Sequence, residues 1–247
     1  MPDPTTTRLP TRITPCSIIN AVVEVRFQTE QSPTVVPGLI YSAVRERFPK
    51  QAELPQAQLP DTERNLIPEL RYSPTVVMTG DQLVLNVGPR VLFLSMVPGK
   101  DYPGWSAYRE MLTWVLNQLK PIGVITVPER LGLRYSDFFA LPLNRCLQVQ
   151  LAIAGRSEID QPLQIATTVQ RDGLQCRIQI THPAILDGRQ GAKPGSLLDV
   201  DMGFAVPAQS FWEAAVPAFD YAHKTQKKLF FGELLEPTFL ATLNPEY

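Results

Sequence analysis

The sequence predicts an α+β protein: a large, mainly antiparallel sheet with helices packed on one face and a long C-terminal helix. Runs of alternating apolar and polar residues recur along the chain, the period-2 signature of strands covered on one side. A few longer segments space their apolar residues by three and four instead, as amphipathic helices do. No βαβ repeat with a glycine fingerprint is present, which argues against a doubly wound parallel fold.

The first strand covers about 18–27, where Ile19, Ala21, Val23, Val25 and Phe27 alternate with Asn20, Val22, Glu24 and Arg26. Its odd positions face the core, and Glu24 and Arg26 share the opposite face. A helix follows over 37–48, with Pro37 near its start, where a helix tolerates proline best. Residues 49–65 are polar and proline-rich and read as a long loop with a weak edge strand. Strands over 69–78, 82–87 and 91–96 come next, separated by Thr79-Gly80-Asp81 and Gly88-Pro89-Arg90 turns.

The most strongly patterned helix is 105–119, whose Trp105, Tyr108, Leu112, Val115 and Leu119 make one buried face. The strand after it reads Glu129-Arg130-Leu131-Gly132-Leu133-Arg134-Tyr135-Ser136-Asp137. Further strands are expected over 147–153, 163–170, 174–181 and 197–206, with Arg171-Asp172-Gly173 as a hairpin turn. Residues 186–195 read as a polar surface loop or lid. The chain closes with a helix over 209–235 that Pro217 should kink or restart. Residues 1–16 form a loose arm, and 17–247 a single domain that can be divided into diverged halves, 17–140 and 141–247. The 24 prolines, nearly twice the ordinary share of about 5%, fall between apolar runs and stiffen the connections.

Composition bounds the function. Apolar residues make up 44% and charged residues 19%, enough to build a core without a metal or disulfide. The 23 basic and 24 acidic residues leave a formal charge of −1, which argues against nucleic acid as a partner. The widely spaced Cys16, Cys146 and Cys176 fit a reducing cytoplasm. No apolar run approaches the ~20 residues of a membrane span, and the N-terminal stretch lacks a secretion signal.

Catalytic sets are thin. The chain has no P-loop, no GxSxG elbow and no HExxH, and its two histidines, His182 and His223, have no ligand partners at i+3 or i+4. Asp199 and Asp201 could share a strand face and hold a divalent ion, with His182 as a proton carrier. An ordinary solvated strand face explains the aspartates as well. No cofactor is implied.

More distinctive is a seam of arginines. Arg130, Gly132 and Arg134 alternate onto one face, as Glu24 and Arg26 do on the first strand. If the two strands are neighbours, Glu24 accepts a forked hydrogen bond from Arg130 or Arg134. The remaining guanidinium groups would then suit an anionic ligand or a partner's carboxylate. Phe230 and Phe231 head an aromatic C-terminal run that either completes the core or forms a contact patch.

Glu24-x-Arg26-Phe27, Tyr102-Pro103-Gly104-Trp105, Arg130-x-Gly132-x-Arg134-Tyr135 and His223 followed by Phe230 together resemble a sporadically distributed family of prokaryotic proteins of about this length. Where its pattern after the Arg-Tyr pair tends toward an amide, this chain has Ser136-Asp137. The resemblance implies a patchy accessory gene, as in defence or toxin–antitoxin systems, and carries over no activity. The expected function is therefore a non-enzymatic binding subunit. It would act on another protein or a homo-oligomer partner through Glu24, Arg26, Arg130, Arg134, Tyr135, Phe230 and Phe231. The alternatives are a small-molecule binder with a cavity between curved sheet and C-terminal helix, or a metal-dependent enzyme using Asp199 and Asp201.

Overall fold

Alternation decides the first strand, β1 (Ile18–Gln28). Ala21, Val23, Val25 and Phe27 are buried, and Asn20, Val22, Glu24 and Arg26 between them stay half-exposed. The pattern lapses only at Ile19, which is exposed near the strand's beginning. The computed structural model describes residues 8–142, 146–149, 152–153, 156–157, 162–188 and 191–247.

The remaining elements, in chain order, are helix α1 (Val36–Val44), strand β2 (Lys50–Glu53), helices α2 (Asp61–Leu66) and α3 (Pro68–Arg71), and strands β3 (Val76–Thr79), β4 (Leu83–Gly88) and β5 (Val91–Met96). Helix α4 (Trp105–Leu119) leads to strand β6 (Val127–Phe139) and to the two-residue strands β7 (Ala152–Ile153) and β8 (Arg156–Ser157), which pair with each other. Strands β9 (Leu163–Arg171), β10 (Leu174–Gly188) and β11 (Gly191–Phe204) precede helices α5 (Phe211–Lys228) and α6 (Pro237–Thr242). Nine strands form one antiparallel sheet in the order β2-β3-β4-β5-β1-β6-β11-β10-β9. β1 lies between β5 and β6, and β6 between β1 and β11. That neighbourhood positions the site described below.

The chain divides into two compact units, each assembled from separated stretches. The first comprises Asn20–Tyr135 and Asp201–Ala222. In it Val23 and Val25 of β1 stand beside Leu94 and Leu92 of β5, and these residues, Leu85 of β4 and the apolar stripes of α1 and α4 are all buried. Tyr108 of α4 anchors this layer by donating its hydroxyl to the Ala21 carbonyl at 2.7 Å. Each fully buried Leu or Phe in the layer contributes about 1.5–3 kcal/mol.

The second unit comprises the described residues up to Ile19, Ser136–Val200 and His223–Tyr247. Its hairpin turns through Asp172 (φ 48°) and Gly173 (φ 79°), the positive-φ pair that a two-residue turn of type I′ requires. Phe139 packs edge-on against Phe239, with 5.5 Å between ring centroids. The backbone of Gln148 donates to Leu234 at 2.8 Å, and that of Glu236 to Cys146 at 3.0 Å. Of the expected arm 1–16, Thr11 and Thr14 donate from their backbones to Glu246 and Leu243, and Ile13 is buried. That part of the arm is anchored.

Several expected elements differ in the structure. The strand expected over 69–78 is helix α3 followed by the short β3. Pro68 supplies the fixed φ of a first helical turn, and Pro74 has no N–H for a ladder. The loop expected over 49–65 does contain its edge strand, β2, but also α2, with Asp61 and Glu63 in the first turn, where negative charge favours a helix. Of the strand over 147–153, Leu147 makes only an isolated bridge to Leu235, Ala152–Ile153 belong to β7, and residues 150–151 lie outside the described residues.

The surface loop or lid expected over 186–195 is instead the continuation of β10 and β11; only 189–190 fall outside the described residues. Two adjacent strands satisfy each other's backbone groups for as long as they run side by side, even through a polar sequence. Trp105 is half-buried rather than fully covered, because its indole N–H reaches out to Asp220 at 2.9 Å. The terminal helix runs without a break through Pro217 to Lys228 and widens into a π-helix over Leu229–Leu234.

Candidate functional site

The even positions of β1 and β6 carry the polar chemistry of the first unit. Arg130 on β6 reaches a carboxylate on either neighbouring strand. Its Nη1 donates to Glu24 Oε1 on β1 at 2.6 Å, and its Nη2 to both oxygens of Asp201 on β11 at 2.9 and 2.7 Å. Glu24 is shared, also accepting from Arg26 Nε at 2.7 Å and Nη2 at 3.2 Å. Arg26 in turn lies over the Tyr72 ring, 4.7 Å from its centroid, and the Tyr72 hydroxyl donates to Glu129 Oε2 at 2.8 Å.

Glycine makes room for this arrangement. A Cβ on Gly132 would sit 2.4 Å from Arg130 Nη1, and one on Gly203 about 3.1 Å from Nε and Nη2. The guanidinium therefore lies against the sheet between two positions that have no side chain. Burial works against its charge, but Asp201 and Glu24 outweigh that and hold its pKa above the ordinary arginine value.

Around this triad opens a cleft of about 280 Å³ lined by Asn20, Val22, Glu24, Arg26, Phe93, Arg130, Gly132, Arg134 and Asp201. Three guanidinium groups against two carboxylates leave its lining with a formal charge of +1, opposite in sign to the chain's −1. Arginine keeps its proton at any physiological pH and its planar fork matches carboxylate and phosphate. The site is therefore suited to holding an anion rather than to moving protons.

Of the residues singled out in the sequence, Glu24, Arg26, Arg130 and Arg134 converge here, and Glu24 pairs with Arg130 across adjacent strands as its alternation phase predicts. Tyr135 points to the other side of β6. It is buried, its hydroxyl 3.1 Å from that of Tyr102, and it takes no part in the cleft. Phe230 and Phe231 lie in the second unit. Phe230 is a core residue with its ring centroid 6.5 Å from that of Phe139, and Phe231 is half-buried against it. The C-terminal run completes a core rather than presenting a contact patch.

The two aspartates of the alternative enzyme reading have separate partners. Both Asp201 oxygens are taken by Arg130, and Asp199 is buried, accepting from Ser136 Oγ at 2.6 Å. Among the described residues, no group of three His, Cys, Asp or Glu side chains is placed to hold a metal ion. His182 Nδ1 lies 3.0 Å from Ser196 Oγ, but that hydroxyl is buried and donates to the Leu141 carbonyl at 2.8 Å, so it is not presented as a nucleophile. Burial pushes the Cys146 thiol up to about 12, which leaves it inert.

Sequence reading missed Asp201 as an arginine partner, together with Tyr72, Phe93 and Gly203. The one signal available was the repeat of a glycine and a charged residue at i, i+2 on two strands, Arg130/Gly132 and Asp201/Gly203. No protein-family model matches the chain, and no curated protein matches it in sequence. Among the described residues, no helix is long and apolar enough to cross a membrane.

Proposed function

We propose that the protein is a non-enzymatic binding subunit that works in the cytoplasm by protein–protein association, taking an acidic segment of its partner into the arginine cleft. The observation that carries this reading is the excess of guanidinium over carboxylate in a half-exposed recess on a sheet face. The internal pairs Glu24–Arg26 and Asp201–Arg130 hold the guanidinium planes in place before a ligand arrives, so little ordering entropy is lost on binding. Charge in such a recess favours encounter with acidic partners and selects against basic ones. The further reading, that the partner belongs to a prokaryotic accessory system of the defence or toxin–antitoxin kind, rests on the resemblance carried by the Arg-x-Gly-x-Arg-Tyr strand.

The test is co-purification from cells that express the protein naturally, with the wild type and Arg134→Glu compared by mass spectrometry. Arg134 is exposed, so the exchange reverses the cleft's charge from +1 to −1 while leaving the core intact. A stoichiometric acidic protein that the wild type retains and the variant loses supports the proposal. A partner held equally by both variants, or none at stoichiometric level, defeats it. A second reading, a small anionic ligand, is favoured by the cleft's volume of about 280 Å³. Native mass spectrometry of the purified chain identifies that outcome as an added small mass lost in the same variant.

A further inference from the structure

Among the described residues the sheet ends on β9, and this edge lacks the sequence devices by which proteins blunt an exposed strand. From Leu163 to Gln170 the sequence Leu-Gln-Ile-Ala-Thr-Thr-Val-Gln has no charge, no proline and no glycine. Among the described residues, no strand pairs with its outer side. The core-facing row is also unfinished. Cys176, Ile178 and Ile180 of β10 are buried, yet Ile165 and Val169, which continue that row beside Ile180 and Cys176, are only half-covered.

The backbone pattern follows from the turn. The two-residue Asp172-Gly173 loop makes Arg171 and Leu174 a mutually hydrogen-bonded pair. Odd positions of β9 therefore bond to β10. Gln164, Ala166, Thr168 and Gln170 point their N–H and C=O groups outward.

We infer that the protein associates with a second copy of itself by antiparallel pairing of β9 with β9, about a twofold axis normal to the sheet through Thr167. In that register Gln164 stands opposite Gln170 and Ala166 opposite Thr168 of the other copy, all outward-bonding positions. The ladder closes with roughly eight hydrogen bonds. On the core-facing side Ile165 meets Val169 and Thr167 meets its own counterpart, so half-covered apolar residues cover one another. Each Arg171 falls beside Leu163, at opposite ends of the ladder, and no like charges face across the axis. A strand that is its own complement in hydrogen bonding, apolar pattern and charge fits a closed, isologous dimer. This inference is independent of the cleft and stands or falls separately from its ligand.

Sedimentation velocity on the full chain tests it, across micromolar to submillimolar concentration. The wild type is expected at twice the 27.6 kDa of one chain. Ala166→Lys with Thr168→Lys places lysines opposite lysines at exposed positions and should return the single-chain mass with an unchanged circular dichroism spectrum. Ala166→Lys with Thr168→Glu sets each lysine against a glutamate of the other copy and should restore the dimer. A wild type that stays monomeric throughout overturns the inference, as does a dimer that survives the double lysine change or a Lys/Glu variant that remains monomeric. Should the variants not fold, hydrogen exchange on the wild type decides the matter. The amides of residues 164, 166, 168 and 170 must be protected at high concentration and exchange rapidly on dilution, and fast exchange at both refutes the pairing.

Discussion

Arg130→Met is the sharpest probe of the seam, because methionine keeps the side chain's apolar stem and removes only the guanidinium. The change deletes the 2.6 Å bond to Glu24 and the bonds of 2.9 and 2.7 Å to Asp201. Breaking a fully buried ion pair costs about 3–5 kcal/mol. Here the three side chains keep 27%, 18% and 28% of their surface, so water partly solvates the stranded carboxylates, and Glu24 still holds Arg26. The loss should therefore fall nearer 2–3 kcal/mol, which lowers Tm by roughly 5–10 °C in a chain of this size. Calorimetry and urea unfolding measure it directly. Gly132→Ala supplies the control, because its Cβ would sit 2.4 Å from Nη1 and push the guanidinium off Glu24. It should cost about 1 kcal/mol or more in the wild type and almost nothing in the Arg130→Met background, since the obstructed group is then gone. An Arg130→Met protein within about 0.5 kcal/mol of the wild type, or a Gly132→Ala cost that is the same in both backgrounds, would refute the claim that the triad holds these strands together.

Two further outcomes follow from buried groups. Asp137 is enclosed, accepts from Ser17 Oγ at 2.6 Å, and has its pKa pushed up to about 7, chiefly by burial and further by the neighbouring Asp199. A carboxyl that binds its proton more tightly when folded makes the native state the better proton binder between the ordinary value of 3.8 and about 7. Its contribution is thus complete below about pH 4 and falls away as pH rises through 7, by on the order of 4 kcal/mol. Asp137→Asn should flatten that slope in a series of denaturant titrations from pH 5 to 8, and an unchanged slope counts against a proton on Asp137. Ending the chain after Lys228 should unfold the second unit, because Phe230, Leu234, Leu235, Phe239 and Leu243 are each at most 9% exposed. At about 1.5–3 kcal/mol apiece their loss is as large as an ordinary stability margin. A soluble truncation product with a native circular dichroism spectrum would show that the segment is an accessory surface after all.

The sequence by itself determined the α+β class, the boundaries of α4 and β5, the inward face of β1 and the turn at Asp172-Gly173. These depend on neighbours a few residues apart, and hydrophobic period and turn chemistry are local quantities. It also paired Glu24 with an arginine of the 130–134 strand, because two strands in matching phase had only to be adjacent, and the structure selects Arg130 over Arg134. It could not assign Asp201 to Arg130, although alternation alone already sets Tyr135 on the face opposite Arg134. The Asp201–Arg130 pairing depends on β11 lying beside β6, which is decided by long-range sheet order. The same holds for Phe230 and the C-terminal run, where an apolar pattern reads alike whether it covers the chain's own core or a partner's surface. Only the packing of Phe139 and Phe239 around it decided that it belongs inside. A residue's type limits what it can bond to, and tertiary structure chooses among those options by bringing distant strands and helices within contact distance.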